Sequence, residues 1–239
     1  MRAADEEEAG EQEGVTHWDL LVAGFVACLD GKVKRIVNSE WSDLSSESAH
    51  KKRQRLFASD VAADEDFHAL YRAYWQMNVA RLGDPFYFRY FALLESLKRN
   101  GVGAHRDINE TIRELALLSN TTERPSLQFS FATKLLNTVD PRLPVYDSYV
   151  SQFYFFVAPP SNYSVDARLS ALLAFHGFLR AEYARIIQEG LLGDSIARFR
   201  QHFGIGSELC DERAIDMLIW GFVSLLRNGA QLEKRALFR

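Results

Sequence analysis

The sequence predicts an all-α fold, a multi-helix globular domain. Its 239 residues are 47% hydrophobic and 13% aromatic, which is ample for a packed core. From His17 onward the apolar residues recur at spacings of three and four, as they do on one face of a helix. Alternating patterns joined by Asn-Gly or Asp-Gly hairpin turns, which would indicate strands, are nearly absent.

The predicted helices follow one another along the chain, and several of their ends have a local cause. Pro85 comes after Asp84, as in the first turn of a helix, and the turn at 100–103 ends that helix. Asp107 followed by Glu110 forms a capping-box pattern for the next one. The helices are expected at about 17–29, 32–40, 47–57, 64–82, 86–99, 108–119, 127–139, 148–157, 164–189, 194–203 and 210–227.

Acidic residues are concentrated at the start of the chain. Residues 1–14 hold six acids and one arginine, a charge of −5 against a total of −4, so the remainder carries +1. This acidic segment lacks aromatic residues and cannot offset its ordering entropy, which predicts a disordered tail. No Gly/Ser/Pro-rich linker or internal repeat follows, so 15–239 is expected to be one domain, with a two-lobed arrangement left open.

Several classes of protein are disfavoured. The apolar runs at 20–29 and 218–226 are shorter than a bilayer crossing and no apolar leader begins the chain, so we expect a cytoplasmic protein without membrane contact. Cys28 and Cys210 lack zinc-site spacing and are expected to be buried free thiols. The six histidines form no metal-binding pair, and no Walker, Rossmann or GxSxG motif occurs, so no metal or cofactor is expected.

The stretch SFATKLLNTVDPRLPVYDSYV, residues 130–150, places a lysine on a predicted helix. On a helical wheel that starts at Leu127, apolar side chains fill one half of the helix and Lys134 lies at the edge of that half. The aliphatic stem of Lys134 can therefore lie on the core while its amine faces a cleft.

An aspartate follows at the expected start of the next helix. The residues before Pro141 and Pro144 are kept out of the α region, so the first helix ends there. Asp147 then stands at the N-cap of a helix that begins near Ser148. The short connection makes the two helices neighbours and brings an amine and a carboxylate toward one opening. The alternative interpretation is a surface lysine and a cap that contributes about 1 kcal/mol.

This order of lysine helix, proline turn, Pro-Val, aspartate and new helix resembles the active-site segment of the helix-hairpin-helix DNA glycosylase superfamily. It is similar to bacterial proteins of the 8-oxoguanine DNA glycosylase fold. By this resemblance, Lys134 is the nucleophile that attacks the deoxyribose C1′ and forms a Schiff base. Asp147 stabilises the positive charge that develops on the sugar and assists proton transfer.

The resemblance also implies double-stranded DNA as a partner and a pocket for a base turned out of the duplex. Aromatic candidates for that pocket are Tyr146, Tyr149, Phe153 and Trp220. The glycine-rich hairpin that precedes the lysine in these enzymes is replaced here by Leu-Gln-Phe-Ser-Phe at 127–131. The sequence therefore leaves two hypotheses: a glycosylase, with or without lyase activity, and an inactive DNA- or protein-binding relative in which Lys134 and Asp147 form a structural ion pair.

Other charged residues are candidates for phosphate contacts or for internal pairing. Candidate phosphate contacts are Lys51, Lys52, Arg53 and Arg142, although such residues also form ordinary solvated surfaces. Asp216 lies in a helix that is apolar almost all round and needs a partner. We expect that partner to be a helix end or an arginine, with a second catalytic acid as the alternative. Protein partners cannot be read from the sequence.

Overall fold

The computed structural model describes residues 55–77, 82–101, 108–116, 127–203 and 209–237. In these ranges helix is the regular structure and no strand occurs, which confirms the all-α fold. Residues 55–58 are helical as well. The elements are α1 Glu65–Tyr74, α2 Asp84–Asn100, α3 Ile108–Ala116, α4 Phe129–Val139, α5 Ser148–Phe153, α6 Val165–Gln188, α7 Gly193–Phe203 and α8 Asp211–Leu237.

Two helices end earlier than the sequence predicts. Helix α1 stops at Tyr74 instead of 82, and Gln76 in the turn that follows has a φ of 51°. Helix α5 stops at Phe153 instead of 157, and Phe155 has a φ of 53°. A left-handed backbone angle is incompatible with continued α-helix, so each residue marks the end of regular structure. The last helix, predicted to end near 227, continues to Leu237.

The buried side chains of the described ranges form two clusters. The first is built on α1–α4 around large side chains such as Tyr71, Tyr90 and Phe91. The second is built on α5–α8 around side chains such as Tyr183 and Leu218. The connection between α4 and α5 passes from one cluster to the other, because its Leu143 and Val145 belong to the first and Val150 of α5 belongs to the second.

Some of the other sequence predictions concern residues that the structure describes, and some do not. The tail at 1–14, Cys28 and the helices at 17–29 and 32–40 lie outside the described residues. Cys210 is a free, half-buried thiol, and burial raises its pKa to about 11. No helix in the described ranges combines the length and apolar character that a membrane crossing requires.

Candidate functional site

A cleft of about 410 Å³ opens where the two clusters meet. Its walls come from the end of α1, from α4, from the connection between α4 and α5, from the start of α5 and from α8. Its volume falls in the range of roughly 300–1,000 Å³ that is usual for small-molecule sites. Among the described residues, four charged side chains line it: Lys134, Asp147, Arg213 and Asp216.

Lys134 enters the cleft from the middle of α4. Its Nζ donates a hydrogen bond to the backbone carbonyl of Trp75 over 3.2 Å and lies 5.5 Å from the centre of the Phe131 ring. Burial lowers the pKa of Lys134, the nearby Asp147 carboxylate opposes this change, and the positive charge of Arg213 adds to it. The amine is therefore easier to deprotonate than an ordinary lysine.

Asp147 is the N-cap of α5, as the sequence predicts. Its Oδ1 accepts backbone N–H bonds from Tyr149 at 2.8 Å and Val150 at 2.9 Å. These bonds fix the carboxyl group, because they satisfy two N–H groups of the first turn that have no partner inside the helix. The described residues donate no hydrogen bond to Oδ2, so one oxygen is anchored and the other is available to a ligand.

Lys134 and Asp147 line the same cleft without touching. Between these two described residues no nitrogen–oxygen contact of 4.0 Å or less occurs. The convergence expected from the short connection is thus present, while the direct structural ion pair of the alternative hypothesis is not formed. An amine and a carboxylate that stay apart leave space for a reacting group between them.

Side chains of α4 hold the two ends of the connection that carries Asp147. The amide of Asn137 donates to the carbonyls of Leu143 at 2.7 Å and Pro141 at 3.2 Å. The hydroxyl of Thr133, which is fully buried, accepts the N–H of Tyr146 at 3.0 Å. The connection therefore has a fixed path although it contains no regular structure.

Side chains of α6 and α8 hold the centre of the same connection. Buried His176 bonds through Nε2 to the carbonyl of Pro144 at 3.1 Å. The carboxylate of Asp216 accepts the N–H of Val145 at 3.3 Å from each oxygen. Burial lowers the pKa of His176 to about 4, so the ring is neutral near pH 7 and donates from Nε2. Four consecutive residues before Asp147 are thus bonded to buried side chains.

Asp216 and Arg213 line the cleft from α8. The Asp216 carboxylate accepts from the Tyr183 hydroxyl at 2.8 Å and lies 3.5 Å from Nη1 of Arg213. This arrangement agrees with the expected arginine partner. Burial raises the pKa of Asp216 to about 7, although Arg213 and the hydrogen bonds act in the opposite direction. Arg213 also donates to the Tyr74 hydroxyl at 2.9 Å, and its guanidinium lies 4.8 Å from the Trp75 ring centre.

Of the four aromatic candidates, two reach the cleft. Tyr149 and Trp220 line it and stack on each other with ring centres 4.9 Å apart. The guanidinium of Arg227 covers Tyr149 at 4.0 Å. Tyr146 and Phe153 instead pack with other rings of the interior and do not line the cleft.

The predicted phosphate contacts are only partly described. Lys51, Lys52 and Arg53 lie outside the described residues. Arg142 is exposed and donates to both oxygens of Asp140, at 2.8 and 2.9 Å. Because this pair lies on the surface, water can compete for it and Arg142 stays accessible to an anion.

Sequence reasoning missed the end of α1 and Arg213. The periodic pattern continues past Tyr74, so nothing signalled that Trp75 and Gln76 would turn toward the cleft. Arg213 did carry a signal, since it precedes Asp216 by three residues and so shares its helix face.

The link between this chain and the DNA glycosylases is the residue pattern around Lys134 and Asp147. No protein-family model, curated protein or solved structure matches the chain. Membership of that superfamily stays a prediction, and the chemistry has to be argued from the cleft itself. Within the described part of the chain, His, Cys, Asp and Glu side chains form no group of three or more that could hold a metal ion.

Proposed function

We propose that this chain is a DNA glycosylase-like enzyme that excises a damaged base, with Lys134 as nucleophile and Asp147 as the assisting carboxylate. One observation carries the proposal: an amine with a lowered pKa and an anchored carboxylate line one cleft and do not pair with each other. A lysine whose pKa is lowered by burial in a cleft is typical of functional sites.

The chemistry requires both residue types. The deprotonated Lys134 amine supplies the electron pair that bonds to the sugar C1′ as the glycosidic bond breaks. Positive charge develops on the sugar in this step, and the free oxygen of Asp147 can stabilise it and accept a proton from the attacking amine. Opening of the sugar ring then gives the Schiff base.

The rest of the cleft suits a planar ring. Trp75, Tyr149 and Trp220 supply aromatic surface in a cavity of about 410 Å³. A nucleobase turned out of a duplex is held in glycosylases by stacking on such side chains. Bases offer an aromatic face irrespective of sequence, so this feature supports the class of substrate and does not select one lesion.

The second candidate function is a DNA- or protein-binding module without catalysis. The observation that favours it is the segment before Lys134, where Leu127 and the following residues enter α4 in place of the glycine-rich hairpin that holds a DNA phosphate in the enzymes. The Lys134 amine is also hydrogen-bonded to a carbonyl, which a structural lysine would do equally well.

Covalent trapping separates the two functions. The protein is incubated with duplexes that carry 8-oxoguanine, uracil or an abasic site, and borohydride is added to reduce any Schiff base. An enzyme gives a covalent adduct that Lys134→Ala and Lys134→Arg both abolish. The arginine variant is the matched control, because it keeps the positive charge and loses the nucleophilic amine.

A second matched variant addresses the carboxylate. Asp147→Asn keeps an oxygen that can accept the N–H groups of Tyr149 and Val150, so α5 stays capped while the charge is lost. We expect base release to fall by about 100-fold, in the range usual for general acid–base groups. Duplex binding measured by fluorescence anisotropy, with no adduct on any duplex, would instead favour the binding module.

A further inference from the structure

Glycosidic bond cleavage creates charge at two places, and Lys134 and Asp147 act at only one of them. In the proposed function both act on the sugar, where positive charge develops. The bonding electron pair leaves with the base nitrogen, so negative charge develops on the base. Rates of such steps depend on groups that are placed to receive this charge.

Among the charged side chains that line the described cleft, only one suits an anionic leaving group. Lys134 has to be deprotonated to act as nucleophile, and Asp147 carries negative charge. The oxygens of Asp216 already accept from Val145 and Tyr183, so this carboxylate faces donors and not the base. Arg213 remains.

The Arg213 guanidinium is fixed and still has donors to offer. It lies 4.8 Å from the Trp75 ring centre and is held by the Tyr74 hydroxyl at 2.9 Å and the Asp216 carboxylate at 3.5 Å. A guanidinium carries five N–H groups, so these contacts leave others for a ligand in the cleft. Burial alone would lower the pKa of Arg213, but Tyr74 and Asp216 outweigh it and keep the group protonated.

We infer that Arg213 is a further catalytic residue, which donates a hydrogen bond to the departing base and stabilises its negative charge. This inference rests on the proposed function. In the step, the C1′–N bond breaks with its electron pair on the base, and the Lys134 electron pair forms the new bond to C1′. The amine then loses one proton, through Asp147 or water, and the base nitrogen gains one.

The test compares base release with trapping of a preformed abasic site. An abasic duplex has no base to expel, so Arg213→Gln should leave its trapping rate within about twofold of the unmodified chain on the plateau of each pH profile. Release of 8-oxoguanine, uracil or 5-fluorouracil from duplexes should fall by about 100-fold or more. The loss should be greater for uracil than for 5-fluorouracil, because the fluorinated base is the better leaving group.

Two further variants separate chemistry from folding. Arg213→Lys keeps a cation beside Asp216 and should restore part of the base release. Arg89→Gln removes an exposed arginine that pairs with Glu114 at 2.9 Å outside the cleft, and should change neither assay. Thermal unfolding of each variant checks that the protein assayed is folded.

The outcomes distinguish this inference from the function on which it rests. Equal losses in base release and abasic-site trapping would assign Arg213 a structural role and overturn the inference. An unmodified chain that traps the abasic site but releases none of the three bases would also overturn it, while still supporting Schiff-base chemistry at Lys134. No trapping at all would reject the proposed function itself.

Discussion

The Lys134 amine donates a hydrogen bond to the Trp75 carbonyl over 3.2 Å. This bond holds the amine at the wall made by the end of α1, where it does not pair directly with Asp147. A lysine in contact with a carboxylate would be held in its charged form. Here burial dominates and the pKa of Lys134 is lowered.

Titration of Lys134 is therefore the first prediction. In protein labelled with [13Cε]lysine, the Lys134 signal should titrate below the ordinary lysine value of about 10.4. Asp147→Asn removes a carboxylate that raises this pKa, so the midpoint should move to lower pH. Arg213→Gln removes a cation that lowers it, so the midpoint should move to higher pH.

The Lys134 signal has to be assigned with a control variant. Lys134→Arg identifies the signal by removing it. An unchanged midpoint in both charge variants would mean that the two charges do not act on the amine and that burial alone lowers its pKa. A midpoint at the ordinary lysine value in the unmodified chain would remove the electrostatic basis of the proposed nucleophile.

The local pattern was sufficient to predict the two ends of the site. The periodicity of α4 placed Lys134 at the edge of the apolar face, and the prolines placed Asp147 at the start of α5. Both predictions depend on residues close in sequence, where backbone sterics and helix capping decide the structure.

The other wall of the cleft could not be predicted in the same way. Trp75 and Arg213 meet because α1 ends early and Arg213 of α8 packs on the Trp75 ring, a contact between residues far apart in the chain. Gln76 adopts a left-handed angle that its residue type does not require. Such long-range packing overrides local propensity and leaves no periodic signal.

The hydroxyl of Thr133 is predicted to be essential for the path of the connection. Thr133→Val has nearly the same shape but leaves the partly buried N–H of Tyr146 without its acceptor. The free energy of unfolding should fall by about 1–3 kcal/mol, which urea denaturation measures. Thr133→Ser keeps the hydroxyl and should lose less. A valine variant as stable as the unmodified chain would show that the connection has another support.

His176 is predicted to make the fold sensitive to acid. Its pKa in the folded chain is about 4, lowered chiefly by burial, against about 6.5 when unfolded. Between these values the unfolded chain binds more protons, so this contribution to stability is complete above pH 6.5 and is lost as the pH falls toward 4. His176→Gln keeps an N–H donor for Pro144 and does not titrate. The variant should lose less stability than the unmodified chain between pH 7 and 4.5 in urea denaturation.

The contribution of Asp216 to folding stability should change with pH in the direction opposite to that of His176. Burial raises its pKa to about 7 in the folded chain, against about 3.9 when unfolded, so the folded chain binds more protons between these values. Its contribution is complete below pH 4 and is lost as the pH rises through 7. Asp216→Asn resembles the protonated form and does not titrate. The unfolding free energy of the unmodified chain minus that of the variant should therefore fall from pH 5 to pH 8. A difference that stays constant over this range would mean that pairing with Arg213 at 3.5 Å outweighs burial and that the carboxylate is charged throughout.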